Sequence, residues 1–408
     1  MKRDCSAVGN SPKLLSRRSA GDSFGAASIS GLKIILVYLC FGGSILHAQI
    51  PFGKSQEEAY MRPLWEKGTT INETVLLISE HGEAPHGRLL YEPEQILSVR
   101  DFCLKETFVE GKDFTVKGRI LTALNPNLPH FLETRKTNLG KTYKYSVFNF
   151  QQVAVTYTHK DKWEGYRTTW LGNNLPETMQ CLKQGHLKVV AFGDSISKGF
   201  GQSGEEDVLP GMPAWATLAC NEVARKTGAK IELINTSVGG IDSTWGASTT
   251  KNGVTEQKPD LVLLHFGQND FWYQKPKAYA NNITGMIAAA KHGNPKAEVI
   301  LFAPMRFDPH MNHGTYWNAV GKYRKALLAM RTNGVEIIDM TQTSEELYQK
   351  KDPADFLVDS LHPNDYLARW YAQSLVAALV PPRVGESRRL APNRSTPTAK
   401  QIRRFKAV

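Results

Sequence analysis

Cysteine is scarce in this 408-residue chain: there are five, and beyond residue 48 only Cys103, Cys181 and Cys220. Three thiols cannot all pair within one chain, and their spacings fit no zinc or redox motif. A disulfide-built scaffold is therefore excluded, and the three read as small buried hydrophobes. No Gly-x-Ser-x-Gly elbow occurs, which leaves an α/β-hydrolase reading unsupported. A long apolar run is missing too, because the stretch from Ile34 to Leu46 is too short for a comfortable membrane span. The globular body also lacks an excess of either charge. The net charge is +11, but residues 1–48 carry six Lys/Arg against two Asp/Glu, and residues 383–408 carry eight against one. Residues 49–382 hold 36 of each sign, so the body offers no basic field for a nucleic-acid partner.

The two flanks have their own signatures. A basic, polar stretch (Lys2, Arg3, Lys13, Arg17, Arg18, Lys33) precedes the apolar run, and Ala48 supplies a small residue for cleavage. Residues 1–48 thus read as a signal peptide with a long n-region, which implies a secreted or periplasmic protein without stable membrane insertion; an uncleaved anchor is the alternative. Residues 383–408, rich in Pro, Arg, Ser and Thr, read as a basic disordered tail.

Between the flanks the hydrophobic pattern changes once. After a connecting segment at 49–72, residues 73–182 show short β-like runs: Thr74–Ile78, Gln95–Val99, Phe114–Val116, Tyr145–Phe150 and Gln152–Thr156. Gly, Pro, Asn and Lys-rich turns separate them and no helical period intervenes, the pattern of an all-β, jelly-roll-like sandwich. Over 183–382 strands and helices alternate. Strands are expected at Leu187–Phe192, Lys230–Ile234, Asp260–His265, Ala297–Phe302 and Val335–Asp339, and helices at Pro213–Lys226, Lys277–Lys291, Tyr316–Arg331 and Asp365–Leu379. Five strands linked in this way predict an α/β domain: a parallel sheet covered on both faces, with ligands at the carboxyl ends of its strands.

Chemistry-bearing residues gather at those ends. Val189–Phe192 leads into Gly193-Asp194-Ser195, a tight turn that projects a serine into the crevice. Gly239-Gly240 follows the second strand, where a glycine N–H can face a developing oxyanion. Gly267-Gln268-Asn269-Asp270 follows the third, where the Asn269 amide is a second donor. Asp359-Ser360-Leu361-His362-Pro363 precedes the last helix, at a spacing that lets the carboxylate turn back onto the imidazole.

Gly193-Asp194-Ser195, Gly240, Gly267-x-Asn269-Asp270 and Asp359-x-x-His362-Pro363 occur in the order of the four signature blocks of the SGNH (GDSL) hydrolases, and the chain resembles that family over about residues 187–380. The resemblance implies a three-layer flavodoxin-like fold and acyl-ester hydrolysis without metal or cofactor. Residue by residue it implies Ser195 as nucleophile, His362 as general base and Asp359 as its orienting partner. The Ser195 N–H, the Gly240 N–H and Asn269 would form the oxyanion hole. The layout also resembles two-domain carbohydrate esterases with an N-terminal β-sandwich, implying an acylated carbohydrate or other small ester as partner. A lipase or lysophospholipase acting on longer acyl chains, and a non-catalytic glycan-binding protein, are the rival readings.

Neighbouring residues have plainer readings. Asp270 is expected to anchor its loop, Asp194 and Ser197 to be structural, and His265 to be a satisfied core histidine. His310 and His313 have a metal-like spacing but no accompanying carboxylate or thiolate set. Trp245, Phe271, Trp272, Tyr273, Tyr316 and Trp317 follow the catalytic blocks and suit either packing or stacking against sugar rings.

Overall fold

The computed structural model describes residues 52–79, 82–130, 151–272, 275–309 and 313–382. The expected leader, the strand at Tyr145–Phe150, the basic tail, Tyr273 and His310 lie outside the described residues.

The N-terminal part opens with helix α1 (Lys54–Tyr60) and continues through strands β1 (Gly68–Leu76), β2 (His86–Arg88), β3 (Gln95–Asp101), β4 (Thr107–Phe108), β5 (Phe114–Lys117), β6 (Ile120–Ala123) and β7 (Gln152–His159). They form two antiparallel sheets, a four-stranded one ordered β1-β7-β3-β4 and a three-stranded one ordered β2-β6-β5. The first strand starts earlier than the sequence suggests, inside the expected connecting segment. Its register shifts between Thr70 and Glu73, and Asn72 sits in the bulge at φ 47°. The extra residue breaks the alternation by which the strand would be recognised.

The second part runs α2 (Pro176–Gln184), β8 (His186–Gly193), α3 (Ser195–Lys198), α4 (Trp215–Thr227), β9 (Lys230–Asn235), α5 (Ser243–Gly253), β10 (Leu261–His265), α6 (Pro276–Gly293), β11 (Glu298–Ala303), α7 (His313–Leu328), β12 (Val335–Asp339), α8 (Met340–Tyr348) and α9 (Asp365–Leu379). Its five strands form one parallel sheet ordered β12-β11-β10-β8-β9. Alternate side chains feed two cores. Val189, Ala191, Leu263 and Phe302 pack with Trp215, Trp370 and Tyr371 on one face; Val190, Phe192, Leu264 and Leu301 pack with Tyr279, Met286 and Tyr323 on the other. Strands buried on both sides read as nearly continuous apolar runs, which is why they are legible in the sequence. The architecture is the three-layer α/β fold expected, preceded by an antiparallel β-rich region.

The first of those cores also takes in Val75, Val99, Val153 and Tyr157 from the four-stranded sheet. Polar bonds run alongside. Arg369 of α9 donates to the carbonyls of Tyr60 (3.0 Å) and Ile71 (2.5 Å), and Gln373 accepts from Leu64 N (2.7 Å) while donating to Arg62 O (2.6 Å). Of the three cysteines, Cys220 is a buried free thiol and Cys181 a half-buried one. Cys103 is buried as well.

Candidate active site

Strand β8 delivers Ser195 to the carboxyl edge of the sheet. Gly193 is required at the turn, because a Cβ there would meet the His265 carbonyl and lie 2.6 Å from Ser197 Oγ. Asp194 then caps the short turn of helix, accepting from Ile196 N at 3.0 Å. This capping is the structural role its sequence context suggests.

Ser195 Oγ lies 3.0 Å from His362 Nε2, and His362 Nδ1 lies 2.8 Å from Asp359 Oδ2. The second carboxylate oxygen, Asp359 Oδ1, accepts from the backbone N–H groups of Leu361 and His362, each at 2.7 Å. Burial pushes the Asp359 carboxyl up, but the bonds from His362 and from the two backbone amides outweigh it and hold the group below its ordinary 3.8. An ionised carboxylate only accepts, so Nδ1 carries the imidazole proton, and the lone pair on Nε2 faces the serine hydroxyl. The arrangement can take a proton from Ser195 Oγ without moving any heavy atom far.

The second and third loops lie alongside. A Cβ on Gly239 would lie 3.8 Å from Ser195 Cβ, and exposed Gly240 follows at φ 76°. The Asn269 side-chain amide donates to Ile241 O at 2.9 Å, tying the two loops together and using one of its two protons. Buried Asp270 accepts from Ser243 N (3.1 Å) and Ser243 Oγ at the start of α5, the anchoring role anticipated for it.

Near Ser195, His265 is fully buried. Its Nδ1 lies 3.2 Å from Ser197 Oγ and 3.8 Å from Asp194 Oδ1, while Nε2 has no partner, so this core histidine is only half satisfied. Burial pushes it down to about 3 and pushes Asp194 up to about 7.

Phe200, absent from the sequence-based candidates, is 46 % exposed and sets its ring 4.4 Å from the His362 imidazole. Its only signal is its place between Gly199 and Gly201, both with positive φ. A Cβ on Gly201 would lie 2.7 Å from Val358 Cγ2 and 3.4 Å from His362 Cβ, so glycine lets this loop close on the loop that carries Asp359 and His362. Of the aromatics singled out from sequence, Trp245 packs on Phe192, Phe271 on Phe307, and Trp317 under the Arg306 guanidinium. Among the described residues no group of three or more His, Cys, Asp or Glu could hold a metal ion, and no helix is long and apolar enough to cross a membrane.

Residues 191–370 match the GDSL-like lipase/acylhydrolase family. An arylesterase of Vibrio mimicus is 25% identical over 203 residues, which cover 50% of this chain and 92% of the relative. Among solved structures, the acetylxylan esterase Axe2 of Geobacillus stearothermophilus is similar at 18% identity and TM-score 0.40, covering 48% of this chain and 97% of that one. A two-domain esterase active on acetylated mannans is similar at 18% identity and TM-score 0.41, covering 53% and 57%. The family match and the arylesterase relative support an ester hydrolase, and residues 191–370, the bulk of the parallel-sheet region, are similar to the GDSL-like lipase/acylhydrolase family.

Proposed function

We propose that the protein is an exported serine esterase that removes acyl groups, acetyl above all, from carbohydrate. The observation that carries the reading is the unbroken run from Ser195 Oγ to His362 Nε2 (3.0 Å) and from His362 Nδ1 to Asp359 Oδ2 (2.8 Å), at the strand ends of a family of acylhydrolases.

In this reading His362 takes the hydroxyl proton as Ser195 Oγ attacks the ester carbonyl carbon. The oxyanion accepts from Ser195 N–H, Gly240 N–H and the Asn269 amide proton not committed to Ile241. His362 returns the proton to the departing alcohol, and a water molecule repeats the sequence on the acyl-enzyme. The half-exposed ring of Phe200 beside the imidazole supports a carbohydrate alcohol, since a flat aromatic face suits stacking against a sugar ring.

A chain-length series of nitrophenyl esters, with acetate release from acetylated xylan, tests the proposal. Acetyl esters should turn over fastest, and Ser195→Ala should abolish turnover with the fold intact. Retained activity in that variant would remove Ser195 from its role. Preference for long acyl chains would favour a lipase, and no turnover of any ester a glycan-binding protein.

A further inference from the structure

His362 and Asp359 sit at the tip of a tight hairpin. Val358 N donates to His362 O at 3.0 Å, Leu357 bridges Pro363, and Asn364 N donates to Phe356 O at 3.0 Å. The base of this hairpin is held from outside the hydrolase region. Gln152, the fully buried first residue of β7, donates through Nε2 to the carbonyls of Ala354 (2.5 Å) and Leu357 (2.7 Å). Thr74 of β1 donates to Asp355 O at 2.5 Å and accepts from Asn364 Nδ2 at 2.9 Å. Leu76 N donates to Asp355 Oδ1 at 2.6 Å. A fully buried pair, Lys351 and Glu73, closes the same junction at 2.5 Å. Buried carbonyls strongly require donors, and here Gln152 and Thr74 supply them from the N-terminal sheet.

We propose that Gln152 and Thr74 are positioning residues: through them the four-stranded sheet sets the height and angle at which the hairpin presents His362 to Ser195. The inference rests on the esterase reading for its catalytic consequence, but not for its structural one. Displacement of a catalytic group by about 1 Å costs on the order of a hundredfold in rate. In the esterase reading the hairpin contributes proton transfer through His362 Nε2, which faces Ser195 Oγ, so the loss is expected in kcat rather than in KM.

Three substitutions test this in the full-length protein. Gln152→Met keeps the volume and deletes both donors, Thr74→Val is isosteric without the hydroxyl, and Thr74→Ser restores that hydroxyl. Gln152→Met and Thr74→Val should lower kcat by about ten- to a hundredfold with KM within about twofold, and Thr74→Ser should stay within about threefold of wild type. Hydrogen exchange, which needs no substrate, should quicken at least about tenfold over residues 356–362 in the first two variants while the strands of the parallel sheet keep their protection. Unchanged exchange in the hairpin, or a uniform rise across the chain, overturns the inference. So does an unchanged kcat in a protein whose Ser195→Ala variant is dead. If wild type hydrolyses no ester but the hairpin alone loosens, the esterase reading fails and the positioning stands.

Discussion

At the scale of single residues, the site separates groups by what their surroundings let them do. Asp359 is kept ionised by three donors and can only hold the imidazole. Replacing it with Asn offers Nδ1 an amide that can present N–H instead, freeing the wrong tautomer. Asp359→Asn should therefore lower kcat by roughly three to four orders of magnitude without unfolding the protein, as steady-state kinetics with thermal melts would reveal. In the proposed carbohydrate-esterase reading, Phe200 faces the alcohol side. Phe200→Ala should raise KM for acetylated xylan oligosaccharides by about two- to tenfold and barely change that for nitrophenyl acetate; equal effects on both would argue against sugar stacking. The sequence points to Ser195, Asp359 and His362 because each falls in a short motif at a loop, and the structure brings the three side chains together. The sequence hides Phe200 and Gly201, because their value lies in which loop they meet, and Val358 and His362 are more than 150 positions away.

At the scale of elements, strands buried on both faces and long helices were legible: β12 and α9 occur at Val335–Asp339 and Asp365–Leu379 as expected. The elements that escaped are short or locally disfavoured. Helix α5 reads Ser-Thr-Trp-Gly-Ala-Ser-Thr-Thr-Lys-Asn-Gly, a poor helix by propensity. It forms because Asp242 caps it through Thr244 N and Trp245 N, and because Gly246 lets it close on Phe266. The contacts that clamp the hairpin were equally invisible, since Gln152 and Thr74 are unremarkable polar residues until the fold brings them beside residues 354–364. Lys351 and Glu73 form the most costly of these contacts to disturb. Lys351→Met strands the Glu73 carboxylate in the interior and should reduce unfolding free energy by about 3–5 kcal/mol in urea titration, whereas the joint change with Glu73→Gln should recover part of that loss.

At the scale of the whole molecule, buried ionisable groups pull the pH dependence of stability both ways. Burial raises Asp194 to about 7 and Asp270 and Asp365 to about 6, from an ordinary 3.8. Between those limits the native state keeps protons that the unfolded chain has released, so stability falls as pH rises. His265, lowered to about 3 from 6.5, does the opposite: below 6.5 the unfolded chain gains a proton the native state refuses, and stability falls as pH drops. Melting temperatures measured from pH 4 to 8 should show Asp194→Asn lessening the decline toward pH 7 and His265→Gln lessening the decline toward pH 4. Because one core joins Val75, Val99 and Tyr157 of the antiparallel sheet to Trp215 and Trp370 of the hydrolase region, calorimetry should show a single unfolding transition over both regions. The same junction also covers part of a strand edge. Among the described residues strand β1 is the outermost of its sheet, and the Leu76 N–H that would otherwise face solvent is taken by Asp355. A chain cut short before residue 352 would leave that border unpaired, inviting strand addition by a second copy, so such fragments should appear in cells as insoluble β-rich aggregates.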